Sequence, residues 1–250
     1  MDYEIQKASL WKRIAAGILD FILIIVLATG TGWALSGLLQ YDNYSNRLDQ
    51  LRSSYEERYG IDLDVPMEAL STEQQAVYKA ADEAFGQDEE AIYIFNMAIN
   101  LILLIVTGGI LAAFIVLELI VPLLIGNGQT VGKKVFSLCL VRSDGVKMNN
   151  LQLFARTVLG KFAVETMIPV YVVIMFRFNA LNLMSLILGV AVLLTQCISI
   201  IATRNNCLLH DLMVGTVVVD YGSQKIFKST DDLIAYQKKI AADRAARQTY

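Results

Sequence analysis

Charged residues, cysteine and histidine are scarce in this chain, and each shortage narrows the functions open to it. Of 250 residues, 18% are charged and 55% are hydrophobic, and there are 3 cysteines and 1 histidine. The cysteines are Cys139, Cys197 and Cys207, and no two of them have CxxC spacing. An odd number of unclustered thiols argues against a disulfide framework and against a zinc site. We therefore expect no metal ion and no cofactor.

The single histidine, His210, precedes Asp211, but the motifs that accompany catalytic histidines are missing. The sequence contains neither an HExxH motif nor a nucleophilic hydrolase motif. The glycine-rich stretch at 126–134 has the wrong glycine spacing for a phosphate loop, and Lys134 stands where Ser or Thr is required. We predict that this stretch is a tight turn whose lysines contact anionic lipid. The sequence thus predicts a protein that is not an enzyme and that binds no nucleic acid.

Long apolar runs dominate the rest of the sequence. A transmembrane helix needs about 18 or more apolar residues in succession. The candidate runs are 12–39, 91–125, 162–176 and 182–203. The third is short, but an amphipathic segment at 151–159, with Asn149 or Asn150 as its N-cap, can extend it. A tight connection at 177–181 would join it to the fourth. The predicted fold class is an all-α polytopic membrane protein with about four transmembrane helices.

Polar segments between the runs predict the orientation. Residues 40–90 hold 13 acids and 4 bases, whereas residues 126–161 hold 6 bases and 1 acid. Because basic loops stay in the cytoplasm, we expect both termini to be cytoplasmic and 40–90 to be an extracytoplasmic helical insertion. Residues 135–141 and 146–148 resemble a hairpin, which a strand at 216–221 would join as a small cytoplasmic-side sheet. The tail at 222–250 is either a charged helix or disordered.

Asp20 lies in the middle of the first apolar run, where a carboxylate costs about 3 kcal/mol. Arg13 is two helical turns earlier on the same face, but about 10 Å away along the axis, so Asp20 needs a further partner. Asp20 either titrates as a transport carboxylate or bonds a neighbouring helix to fix the packing. Two further acids, Glu118 and Glu165, lie near the predicted cytoplasmic interface. Asp211 could pair with Arg13 or with Arg156.

Several motifs together resemble the RDD family of bacterial membrane proteins. The matching pieces are Arg13-x6-Asp20, the Gly128–Lys133 turn before a valine-rich strand, Arg156, and the stretch from Leu209 to Val219. The resemblance implies that Arg13, Asp20 and Asp211 are the residues that name the family. It covers residues 8–221, interrupted by the insertion at 40–90 and followed by the tail. It also implies a multi-pass protein of the bacterial cytoplasmic membrane.

Two functions are compatible with these features. The first is a transporter, for example one that exchanges a cation for a proton. It would use a network of Arg13, Asp20, Arg156 and Asp211, with Glu118, Glu165 and His210 as additional polar groups. Since four helices are few for a pathway, this function implies a homo-oligomer in the lipid bilayer. The second is a non-enzymatic scaffold or assembly subunit of a membrane complex, with a protein partner and a purely structural polar network.

Overall fold

The computed structural model describes residues 5–178 and 182–248, which form helices and one small sheet. The elements in chain order are α1 (Leu10–Leu38), α2 (Tyr41–Tyr59), α3 (Thr72–Gly86), α4 (Glu89–Ile125), α5 (Val131–Val135), β1 (Leu138–Arg142), α6 (Asn150–Arg177), α7 (Leu183–Ala202), α8 (Leu209–Val214), β2 (Thr216–Asp220) and α9 (Thr230–Gln248). Within the described ranges, α1, α4, α6 and α7 are long and apolar enough to cross a membrane. The predicted fold class is therefore confirmed, while the side on which each terminus lies stays a prediction.

The spanning helices leave large apolar side chains uncovered, as lipid-facing helices do. On α1, Phe21 and Val26 are exposed, and so are Trp11 and Trp33 towards its two ends. The two tryptophans are 22 positions apart, which corresponds to about 33 Å of helix and matches the thickness of a bilayer core. Exposed apolar faces of this size are unusual in soluble proteins.

Helix α6 is one continuous element rather than a short span preceded by a separate amphipathic segment. It begins directly after its N-cap residue Asn149, whose side chain accepts a hydrogen bond from the backbone N–H of Gln152. The side chain of Gln152 in turn accepts a hydrogen bond from the backbone N–H of Asn149. Part of α6, Ala155–Thr166, is π-helical, and so is Ile115–Ile120 of α4. Such insertions are frequent at functional sites. The predicted connection after α6 lies partly outside the described residues.

The small sheet pairs β1 and β2 in antiparallel register, from Leu138 opposite Asp220 to Arg142 opposite Thr216. The predicted pairing of these two segments is confirmed, but the predicted start of the first strand at residue 135 is wrong. Residues Val131–Val135 form α5 instead, and Thr130 caps this helix by accepting a hydrogen bond from the backbone N–H of Lys133. The expected second strand of a hairpin contributes only isolated bridges, one of them between Val141 and Lys147.

The chain forms two compact units. The first comprises the described residues up to Leu27 together with those from Leu111 onward, and it contains the sheet, α6 to α9 and the polar residues discussed below. Its tail folds as α9 as far as Gln248, and residues 249–250 lie outside the described chain.

The second unit, Ala28–Ile110, contains α2 and α3 and a small apolar cluster. Ile61, Leu63 and Ala81 are buried in that cluster, and the Tyr55 hydroxyl donates a hydrogen bond of 2.8 Å to Asp88. Glu56, Asp62 and Asp64 lie close enough to one another to suit a cation. Arg52 already pairs with two of them, at 3.6 Å from Glu56 and 2.8 Å from Asp64.

Candidate functional site

Asp211, on the short helix α8, is the most heavily bonded acid of the first unit. Its side chain is 0% exposed. One carboxylate oxygen accepts from Arg156 Nε at 2.9 Å and from the Thr216 hydroxyl at 3.2 Å. The other lies 3.6 Å from Arg13 Nη2. Burial by itself would raise the pKa of Asp211, but the guanidinium groups of Arg156 and Arg13 outweigh it and hold that pKa well below its usual range. Asp211 is therefore ionised at neutral pH.

Arg13 connects the start of α1 to two other parts of the unit. Besides its ion pair with Asp211, its Nη1 donates to the backbone carbonyls of Asn205 and Asn206, at 3.1 and 2.6 Å. Since these carbonyls follow the end of α7, one guanidinium ties α1 to both α7 and α8. The prediction that Asp211 pairs with Arg13 or Arg156 is confirmed for both arginines.

His210 is neutral, and its hydrogen bonds identify the tautomer. Its Nε2 lies 2.7 Å from Arg156 Nη2, and its Nδ1 lies 2.6 Å from a carboxylate oxygen of Glu165. A guanidinium can only donate, so Nε2 must accept and the proton is on Nδ1, from which it is donated to Glu165. Burial and the neighbouring charge of Arg156 lower the pKa of His210. The histidine thus serves as a bridge between two elements and not as a switch near neutral pH.

Asp20 is buried, 6% exposed, and its carboxylate bonds the turn before α5. One oxygen accepts from the Thr130 hydroxyl at 2.5 Å, and the other accepts from the backbone N–H of Gly132 at 2.7 Å. The structure therefore does not place Asp20 with Arg13, Arg156 and Asp211 in one hydrogen-bonded cluster. The glycine-rich turn serves to present a hydroxyl and an N–H group to a carboxylate of α1.

A second charged cluster was not singled out by sequence reasoning. Lys133 was expected to contact lipid headgroups, but it is only 8% exposed and its ammonium group donates to the Thr130 hydroxyl at 3.3 Å. Lys161 pairs with one oxygen of Glu118, a residue that is 1% exposed. Among the described residues, the other oxygen, Oε2, has no hydrogen-bond partner. The prediction of lipid contact is thus wrong for Lys133, and the buried Glu118 pairs with the partly exposed Lys161.

The two clusters border one cavity of about 250 Å³. Its charged lining residues are Arg13, Asp20, Lys133, Arg156, Lys161 and Asp211. His210 also lines it. Glu118 and Glu165 do not line the cavity, but they pair with Lys161 and His210, which do. The structure therefore brings Asp20 and Asp211 to the same cavity through different partners. Among the described residues, the lining does not resemble a set of metal ligands, since four of its six charged side chains are cationic.

The buried lysine gives a testable dependence of stability on pH. Burial lowers the pKa of Lys133 from 10.5 to about 8, although Glu118 and Asp20 oppose the shift while Arg156 and Lys161 add to it. Between pH 8 and 10.5 the unfolded chain holds a proton that the folded chain has lost. The Lys133 contribution to the free energy of unfolding should therefore rise by up to about 1.4 kcal/mol per pH unit in that window.

We expect the melting temperature of wild type, relative to that of Lys133→Met, to increase between pH 8 and 10 and to stay level between pH 6 and 7. Thermal unfolding in detergent, followed by size-exclusion chromatography at each pH, measures this difference. The exposed neighbour Lys134 provides the control, since Lys134→Met should track wild type across the whole range. A constant difference between wild type and Lys133→Met would contradict burial of the charged ammonium.

Comparison with known proteins identifies the family of this chain. The model of the RDD family matches residues 7–215, which includes Arg13, Asp20, Arg156 and Asp211. Neither the curated proteins nor the solved structures with which the chain was compared gave a match. Since the family match covers most of the sequence and includes every residue that lines the cavity except Val218, we conclude that this chain, a multi-pass membrane protein, belongs to the RDD family.

Proposed function

We propose that this chain is a membrane transporter and that the cavity in its first unit is the binding site of the transported ion. The single observation that carries the proposal is the cavity itself, a space of about 250 Å³ lined by six charged side chains. Ionisable groups within membrane-spanning helices are costly, and they commonly mark an ion or solute pathway. A network that only fixed helix packing would gain nothing from an adjoining cavity of this size.

The two acids have different roles in this proposal. Asp211 and its arginines hold α1, α6 and α8 together as the frame of the site. Asp20 is the carboxylate that responds to the ion, because its two bonds are to a neutral hydroxyl and a backbone N–H and not to a cation. Exchange of a cation for a proton at Asp20 is one form of this activity.

The setting of the transporter is also part of the proposal. The segment 126–161, which contains α5 and β1, is rich in bases, so we place both termini, the sheet and the tail in the cytoplasm of a bacterial cell and residues 40–90 outside it. Four spans per chain favour a homo-oligomer as the transporting form. Reporter fusions at Tyr250 and within the insertion test the orientation, since only the insertion should be reached from outside the cytoplasmic membrane.

Reconstitution tests the role of Asp20. In proteoliposomes with an imposed proton gradient, Asp20→Asn should reduce ion flux by about 10- to 100-fold, the equivalent of one charge-assisted hydrogen bond. The asparagine keeps the shape of the side chain and an acceptor for one of its two donors, so the fold should survive. Asp243→Asn, the same change on the exposed tail helix, is the matched control. Equal flux in the two variants, or no flux in wild type, would exclude this mechanism.

A scaffold is the second candidate function, and one observation favours it. Both oxygens of Asp211 and both oxygens of Asp20 already accept hydrogen bonds or ion pairs from the protein. Such a network could simply lock the helices for docking to another membrane protein. Purification from native membranes in mild detergent separates the two: a stoichiometric hetero-partner supports the scaffold, and a homo-oligomer alone supports the transporter.

A further inference from the structure

The groups that line the cavity carry an excess of positive charge. Four lining side chains are cations, Arg13, Lys133, Arg156 and Lys161, against the two carboxylates of Asp20 and Asp211. The carboxylate oxygens point to donors of the protein, as described above. Arg13 and Arg156 pair with Asp211, and Lys161 pairs with Glu118, so among the described residues Lys133 is the lining cation that forms no ion pair.

Both lysines have donors to spare. An ammonium group has three N–H donors. Within the described chain, Lys133 Nζ makes one hydrogen bond, to the Thr130 hydroxyl at 3.3 Å, and Lys161 Nζ makes one, to Glu118. The Thr130 hydroxyl also donates to Asp20 and accepts from the backbone N–H of Lys133, so it is a weak partner for a buried ammonium. For Lys133, which is buried, donors left in this state are costly unless a ligand or water completes them, whereas the partly exposed Lys161 can direct its spare donors into the cavity.

The rest of the wall is apolar. Phe21, Ile24, Phe114, Leu138 and Val218 line the same space. A cavity of about 250 Å³ has the volume of about eight water molecules, which is below the range of drug-sized pockets. The ligand that fits such a site is a short molecule with one anionic head and one apolar body.

We infer that this cavity binds a small amphipathic anion, whose carboxylate or phosphate-type head contacts Lys133 and Lys161 and whose apolar body packs on Phe21 and Phe114. The inference rests on the proposed function only in taking this cavity as the transport site, and it names an anion as the solute in place of a cation. The head could come from a soluble carboxylate or from the phosphate of an anionic lipid.

Binding to the full chain in phosphatidylcholine nanodiscs tests the inference. Hexanoate and its neutral isostere hexanamide are titrated separately by calorimetry, and dihexanoyl-phosphatidylglycerol forms the lipid arm. We expect wild type to bind hexanoate and to bind hexanamide at least tenfold more weakly. Binding of the phosphatidylglycerol with no binding of hexanoate would assign the same site to a lipid headgroup.

Variants locate the site. Lys133→Gln should weaken anion binding by about 10- to 100-fold, while Lys134→Gln, its exposed neighbour, should leave it unchanged. Lys133→Arg keeps the charge and should retain binding within a few-fold, which separates loss of charge from loss of fold. Equal affinity for hexanoate and hexanamide, or equal losses in the two glutamine variants, would overturn the inference. Anion binding without any ion flux would reject the transporter and keep the anion site. Ion flux without anion binding would keep the transporter and reject the anion site.

Discussion

Replacement of Asp211 by asparagine should destabilise the first unit more than any other single isosteric change. Arg156 and Arg13 both direct donors at this carboxylate, and Asp211 and Arg156 are almost completely buried. Removing one partner of a buried ion pair leaves the other charge uncompensated, which costs about 3–5 kcal/mol. For a chain of this size that corresponds to a fall in melting temperature on the order of 10 °C.

Asp220→Asn is the matched control for this prediction. Asp220 also pairs with a cation of α1, since Lys12 Nζ lies 2.7 Å from it, but that pair is partly exposed to solvent. Surface pairs of this kind contribute about 0–1 kcal/mol, so the control should melt within a few degrees of wild type. Heating in detergent followed by size-exclusion chromatography compares the two variants. Similar melting temperatures for Asp211→Asn and Asp220→Asn would show that the buried pair does not stabilise the fold.

A conservative exchange at Arg156 offers a second view of the same pair. Arg156 donates through Nε to Asp211 and through Nη2 to both Asp211 and His210. A lysine would keep the charge but could not reach both acceptors in this planar geometry. If the geometry of the ion pair stabilises the fold as well as its charge, the melting temperature of Arg156→Lys should fall nearly as much as that of Asp211→Asn.

The spans of this fold could be predicted from the sequence because their signal is local. Runs of apolar residues with few charges define the four long helices, and the asparagines before α6 and α7 mark two of the starts. The π-helical stretches carry no such mark. Their hydrogen bonds are shifted by one residue, and neither the length nor the composition of α6 reveals that shift.

The candidate site could be predicted only in part, because its decisive contacts are between distant segments. Asp20 stood out as a single carboxylate in an apolar run, and Asp211 stood out through the resemblance to the family. Lys133 and Lys134 are adjacent and chemically identical, yet one is buried and the other exposed. What separates them is the position of α5 against α1 and α4, which no local pattern encodes. Thr130 as an N-cap was the one signal that could have indicated α5.

The last prediction concerns Gly132, where a single methyl group should separate α5 from α1. A Cβ atom added there would overlap the backbone carbonyl oxygen of Ala16 and would lie 2.9 Å from Oδ1 of Asp20. The carbonyl belongs to a helix and cannot rotate away, so Gly132→Ala must displace the turn that Asp20 holds. Overpacking costs about 1–3 kcal/mol, and a buried carboxylate oxygen that loses its donor costs about as much again.

Gly17→Ala is the appropriate control, because Gly17 also lies on α1 but an added Cβ has no atom within 4 Å. In a helix this exchange should stabilise by about 0.5–1 kcal/mol, so the two alanine variants should shift the melting temperature in opposite directions. Asp20→Ala combined with Gly132→Ala should be less destabilised than the sum of the single variants, since both remove the same hydrogen bond. Strict additivity, or a Gly132→Ala variant as stable as Gly17→Ala, would mean that Asp20 does not hold this turn. The effect of Asp20→Asn on ion flux would then report on transport alone, because Asp20 would have no role in packing.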